Sequence, residues 1–424
     1  MFRLSREVLA TVFIGFVVLN AVIGSSNAKH DPASYRIRTY CIGESYYPET
    51  SFPLLIQGDP RIFYVPIPAN LAETTFYIAS GGGGEEAARK FMRLYLPRTY
   101  NQLVSSVDLV MISDFEAWLI PNQQYEWMRK AMEEEGMGLA KYEINWDIGG
   151  FYIKSNEFID LWIASPLFEA FPVDFVMGEQ IEHSMGIIPV ENNPVTDLPG
   201  IENYNLLGSG DYGIETPREG ASILAVFRND PDRNPAMISW EYGKATSLSV
   251  VPGLDKIDSA AMNQYQYYVD FWINQLYWAA SFPIPEDVDI VNVIRRQMVH
   301  YATHRPLIIS VIDFVEKFGA SLSELNRDLG EVDGAKAEAD RLYYVEQSYT
   351  ESLDRLTEAI DMLNDISTKA LVLKERALLW VYIIEWFTVT GTLFLTSYIL
   401  YSLMIKRRLY REVHITRLRE AEGS

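Results

Sequence analysis

An α/β domain on an open, mostly parallel sheet, followed by a helical stalk and a C-terminal transmembrane helix, is what this 424-residue sequence predicts. Three observations carry that expectation. Over residues 35–285 short apolar runs alternate with amphipathic stretches, the pattern of strands covered by helices. Beyond Pro283 and Pro285 the chain turns helical and repeats apolar residues every seven positions. Near the end, Trp386–Ile405 runs 20 residues without a charge, and Lys406, Arg407 and Arg408 follow at once.

Taken in order, YRIRTYCI, RIFYVPI and TTFYIAS read as strands. Gly81–Gly84 then leads into the helix EEAARKFMRLYL. DLVMISD is the short, strongly apolar run expected of a strand buried on both faces. Pro121 opens the helix PNQQYEWMRKAMEEEG and Gly136 closes it, following the preference for proline at helix starts and glycine at helix ends. MGLAKYEI is the next strand, and ASILAVFR, AMISWEYG and ATSLSVV are strands of one sheet with turn residues between them. The helix AAMNQYQYYVDFWINQLYWAAS closes the region, which ends at about 285.

The stalk, 286–376, begins with EDVDIVNVIRRQMVHYATH, then PLIISVIDFVEKFGA, then a long tract from Ala335. In that tract Leu342, Tyr349, Leu356, Leu363 and Ala370 recur every seven residues, with Val345, Leu353, Ile360, Ile366 and Leu373 between them. Two outcomes stay open: packing against the preceding helices, or a coiled-coil homo-oligomer.

The ends set the topology. Residues 8–24 are uncharged and apolar, Arg3 and Arg6 precede them, and Ser26-Asn27-Ala28 offers a small-x-small cleavage pattern, so 1–28 reads as a signal peptide, or as a signal anchor if uncut. The C-terminal span is placed at 377–405, with Trp380, Tyr382 and Trp386 as an interfacial belt and Glu385 facing water at the outer boundary. The tail 406–424 carries Arg411, Arg417 and Arg419, which fix topology or touch anionic lipid, and by the positive-inside rule it is cytosolic. The bulk is then extracytoplasmic. The net charge of the whole chain, −21, argues against nucleic acid as a partner.

The single cysteine, Cys41, excludes an internal disulfide framework and reads as a small buried residue. Glu44, its acidic near neighbour, would raise a thiol pKa. His300 and His304 have metal-ligand spacing, but HYATH lacks the glutamate of a zincin and no third ligand is evident, so no metal and no cofactor is expected. Gly81–Gly84 reads as a turn, since Glu85 and Glu86 open the helix where a phosphate would sit.

The order GESYYPETSFP, DLVMISDFEAWLIPNQQYEWMRKAMEEEGMGLAKYE, NNPVTDLPG and ASILAVFRNDPDRNPAMISWEYGKATSLSVV resembles the class I glutamine amidotransferase-like superfamily, and within it the trehalose-utilisation-type (ThuA-like) branch. The resemblance covers about 35–285 and implies a flavodoxin-like doubly wound sheet. Active members carry a cysteine on a Gly-x-Cys-x-Gly elbow, with a downstream histidine and glutamate. The elbow would follow GLAKYEI, where Asn145-Trp146-Asp147-Ile148-Gly149-Gly150 stands, and the histidine would follow ATSLSV, where Val251-Pro252-Gly253-Leu254 stands. The resemblance therefore implies a pseudoenzyme with no catalytic residues.

In a doubly wound sheet ligands sit outside the carboxyl ends of the strands. The residues expected there are Glu44, Ser45 and Tyr46, then Asp114 and Glu116, then Asn145 and Asp147. Such an acidic, aromatic rim suits a carbohydrate ligand, held by hydroxyl hydrogen bonds and ring stacking. The leading expectation is a membrane-anchored binding or scaffolding module, a subunit of an envelope complex. The alternative is a carbohydrate-active or other hydrolase whose rim carboxylates do acid/base work.

Overall fold

A computed structural model of the chain describes residues 36–43, 52–69, 84–113, 117–142, 155–182, 186–190, 193–207, 211–230, 232–251, 253–254, 264–318 and 322–422. Its centre is an eight-stranded mixed sheet. The strands are β1 (Ile37–Gly43), β2 (Ile62–Pro68), β3 (Leu109–Ser113), β4 (Gly138–Tyr142), β6 (Ile187–Pro189), β8 (Ser222–Phe227), β9 (Pro235–Tyr242) and β10 (Ala245–Val250). They lie in the order β2-β1-β3-β4-β10-β9-β8-β6. The first five are parallel, and the last three attach antiparallel. The expected mostly parallel sheet is thus a mixed one. The cause is local: β9 and β10 are joined by the tight Gly243–Lys244 turn, with Ala245 paired to Tyr242, and so short a link can only reverse the strand direction. Gly243 has φ 62°, and a Cβ there would lie 2.4 Å from the Glu133 Cα. A second, two-stranded sheet pairs β5 (Val173–Glu182) with β7 (Asp211–Pro217); the sequence reading did not anticipate it.

Helices cover both faces, as the wholly buried β3 and β4 require. On one face lie α2 (Gly84–Tyr95), α3 (Tyr100–Ser106), α4 (Asn122–Glu135) and α5 (Ser155–Ile163), which bury Met92, Leu103, Met128 and Trp162 against Val110, Ile112 and Leu139. On the other lie α1 (Phe52–Ile56) and α6 (Tyr268–Ala279), packed on Cys41, Met111, Ala140 and Leu248. Side chains this buried contribute roughly 1.5–3 kcal/mol each. The expected helix signals work as read: Pro121 caps α4, and Gly136 ends it in the left-handed region at φ 78°. Cys41 is fully buried in β1. The expected strand TTFYIAS and most of the Gly81–Gly84 turn lie outside the described residues.

The stalk is a three-helix bundle of α7 (Val288–Glu316), α8 (Ser323–Arg341) and α9 (Tyr349–Glu422). The first runs unbroken through Pro306, where two separate segments were expected. The tract from Ala335 is instead broken, by a π-helical turn at Leu342–Glu346 and by Gln347 in the left-handed region. Within the chain Leu356, Leu363, Ile366 and Ala370 are buried, the last three against α7 and α8 residues that include Ile308, Val315 and Leu329. The seven-residue stripe is therefore used for packing inside the chain. From Leu379 to Ile405 the same helix is apolar and largely exposed, and Tyr349–Arg411 is long and apolar enough to cross a membrane.

Candidate functional site

The carboxyl ends of the parallel strands form one level edge. Register aligns Gly43 with Ser113, Ser113 with Tyr142, and Tyr142 with Val250. The expected rim residues follow these ends in sequence, but Glu44, Ser45, Tyr46, Asp114, Glu116, Asn145 and Asp147 all lie outside the described residues, as do the elbow segment 145–150 and Pro252. What the structure does describe is the layer beneath them, and each face of the sheet presents a different polar group there.

On the α1/α6 face, Phe52, Tyr142 and Trp272 meet ring against ring, with centroids 6.3–6.5 Å apart. Burial pushes the Tyr142 hydroxyl far above its ordinary range, so it stays protonated and donates to Gln275 Oε1 at 3.2 Å. Ser113 Oγ, Trp272 Nε1 and Gln275 Nε2 are buried without a hydrogen-bond partner in the protein. Groups of this kind pair with water or with polar atoms of a ligand.

On the opposite face Lys141 of β4 forms a buried ion pair with Glu215 of β7 and donates to Ser249 Oγ of β10 at 3.1 Å. Ser249 in turn donates to Glu215 Oε2 at 2.6 Å, and the Lys141 ammonium sits 5.5 Å from the centre of the Phe175 ring. All three polar residues are at most 2% exposed. A serine beside a lysine is also a nucleophile–base arrangement. Here the carboxylate takes the serine proton bond and neutralises the ammonium. The triad thus has the chemistry of a satisfied buried ion pair, and it ties the small sheet to the large one.

The third polar cluster joins body to stalk. Asp59, in the turn between α1 and β2, accepts at one oxygen from Arg295 Nε and Nη2 and from the hydroxyls of Tyr277 and Tyr343, all at 2.8–3.0 Å. Arg295 Nη1 reaches Asp270 Oδ1 at 2.8 Å and Asn274 Oδ1 at 3.0 Å. Burial foremost, and the Asp59 charge next, push the Tyr277 hydroxyl well above its usual range, so it remains a donor. Arg61 adds a bond to the Tyr344 carbonyl at 2.9 Å.

The histidines behave as the spacing implied: the His300 and His304 rings lie 3.9 Å apart. Burial, and then the charge of His304, lower the His300 pKa. No group of three metal-ligating side chains occurs among the described residues.

Sequence reasoning missed Lys141, Glu215, Ser249, Asp59 and Arg295. Lys141 carried a usable signal, because a lysine inside an apolar buried strand must find a partner.

No family model matches the chain, and no curated protein does. Among solved structures it is similar to a cytoplasmic protein of Salmonella typhimurium LT2, 18% identical over 57% of this chain and 98% of that one, with a TM-score of 0.40. A second cytoplasmic protein of Salmonella typhimurium is 17% identical, over 57% of this chain and 99% of that one, at 0.41. A β-galactosidase of Rahnella sp. R3 is 16% identical over 59% of this chain, at 0.28; this chain spans about a third of its length, 33%. At these identities and scores none of the likenesses bears on function.

Proposed function

We propose that this chain is a membrane-anchored extracytoplasmic binding or scaffolding module, an α/β body without catalytic machinery displayed on a helical stalk. The observation that carries the reading is α9. It begins among buried bundle residues and continues without interruption through the uncharged tract to the basic tail. With Lys406, Arg407, Arg408 and Arg411 at its far end, the positive-inside rule places the body outside the membrane.

The reading of the body as amidotransferase-like in winding but non-catalytic has two supports. The parallel strands follow the order β2-β1-β3-β4-β10, which is the 2-1-3-4-5 order of a flavodoxin-like winding. The sole cysteine lies inside β1, far in sequence from the elbow position after β4. A rigid body on a rigid stalk suits presentation of a surface to a partner, and the rim above the strand ends suits a carbohydrate.

The test is affinity purification of the full-length protein in mild detergent, with mass spectrometry and molar-mass measurement. A second protein in stoichiometric amount is the expected result. Recovery of this chain alone, with turnover of a glycoside by the purified protein, would overturn the reading in favour of the hydrolase.

A further inference from the structure

The α7–α8 turn carries an exposed aromatic group at a telling height. Phe318 is 47% exposed, and the Phe314 ring packs against it, tilted by 52° with centroids 4.8 Å apart. Its height can be read against α9. In the bundle α7 and α9 run in the same direction, with Gln297 beside Thr357, an offset of 60 residues. Carried down the two helices, that offset puts Phe318 level with Leu378, to within a turn. The α8 contacts agree. Ser352 bonds the Ala339 carbonyl at 2.8 Å, and further down Lys369 bonds Asp328 at 2.8 Å. The cluster that contains Val315 and Leu322 also takes in Leu373.

Leu378 is where the apolar tract begins. Ala377–Ile405 is 29 residues with one charge, Glu385. At 1.5 Å per residue it is about 43 Å long, the thickness of a bilayer with its headgroup layers. Ala377 and Leu378 then stand at the outer headgroup boundary, and so does Phe318. Lys317, Lys374 and Arg376 lie about a turn or less from the same level, placed for lipid phosphates, and Leu379 at that level is exposed.

We infer that Phe318, backed by Phe314 and flanked by Lys317, rests in the headgroup layer of the bilayer that α9 crosses. The inference rests on the membrane-anchored reading. It gives the stalk a second point of contact with the lipid, so the bundle meets the membrane on a base rather than on a single helix.

Site-directed spin labelling tests it. Cys41 is buried, so an introduced cysteine is the reactive one. Full-length protein carrying Phe318→Cys, Leu395→Cys or Glu358→Cys is labelled with a nitroxide in phosphatidylcholine–phosphatidylglycerol vesicles. Accessibility to oxygen, which concentrates in lipid, is compared with accessibility to a water-soluble nickel chelate. The oxygen-to-nickel ratio at Phe318→Cys should lie several-fold above that at Glu358→Cys and below that at Leu395→Cys. A ratio at position 318 equal to that at 358, with 395 in lipid, overturns the inference and leaves the anchor standing. A water-like reading at 395 overturns the anchor and this contact together.

Discussion

Arg295 places both Nε and Nη2 on a single oxygen of Asp59, at 3.0 and 2.9 Å, with neither residue more than 1% exposed. One residue belongs to the sheet domain and the other to the first stalk helix, 236 positions apart. This contact makes body and bundle one mechanical unit.

Replacing that arginine with methionine leaves Asp59 and Asp270 buried without their cation. We expect Arg295→Met to cost about 3–5 kcal/mol, the usual penalty for removing one partner of a buried pair. Urea unfolding of the full-length protein in detergent reads this out. A change near zero would show that water reaches the cluster.

Lys141 and Glu215 give a sharper comparison. Lys141→Met alone should destabilise by about 3–5 kcal/mol, whereas Lys141→Met with Glu215→Leu should recover most of that loss, because an apolar pair removes the buried charge altogether. Recovery of stability together with unchanged partner binding fixes the triad as structural. Recovered stability with lost binding would give it a functional part.

Gly138 begins β4 against the end of α6. A Cβ there would lie 2.0 Å from the Ala279 carbonyl oxygen, a backbone atom that cannot swing aside. Gly138→Ala should therefore destabilise by at least about 1–3 kcal/mol, the usual range for overpacking. The readout is the thermal midpoint, with Gly330→Ala as the control, since a Cβ at Gly330 meets nothing within 4 Å.

Acid should loosen the bundle through Asp333. Burial pushes this carboxyl up, but hydrogen bonds from Arg305 and Tyr301, reinforced by the Arg305 charge, outweigh burial and hold it below the ordinary range. A depressed folded pKa contributes stability above the unfolded value of about 3.9, and that stability is lost as pH falls through the folded value. The gap between the native protein and Asp333→Asn should be steady from neutral pH down to about 4 and close below it. For a pair this exposed the gap is at most about 1 kcal/mol. A gap that widens in acid would contradict the assignment.

The legible parts of the sequence were those where a local pattern and the tertiary demand coincide. LVMIS had to be a strand buried on both faces. The Pro121 and Gly136 signals worked because capping is local. The β5–β7 pair was not legible, because VDFVMGEQIE mixes apolar and charged residues with no clean period and its partner starts only at Asp211. The break at Leu342–Glu346 was hidden for a different reason. The seven-residue repeat continues through it, but Tyr343 is drawn inward to Asp59 at 2.8 Å, a demand from residues far away in sequence. At the rim, sequence adjacency to the strand ends identified candidates, and the described register brings those strand ends together. The polar layer beneath depends on pairs such as Lys141 with Glu215, 74 positions apart, for which no local spacing rule exists.

The unbroken course of α9 has a consequence of phase. Along a continuous helix each residue turns the chain by about 100° and advances it 1.5 Å. The azimuth at which the basic tail emerges is therefore fixed by the number of residues between Tyr349 and Lys406, as a key's bit is fixed by its shank. One added residue in the tract would swing the tail by more than a quarter-turn about the helix axis. Seven would bring it nearly back into alignment.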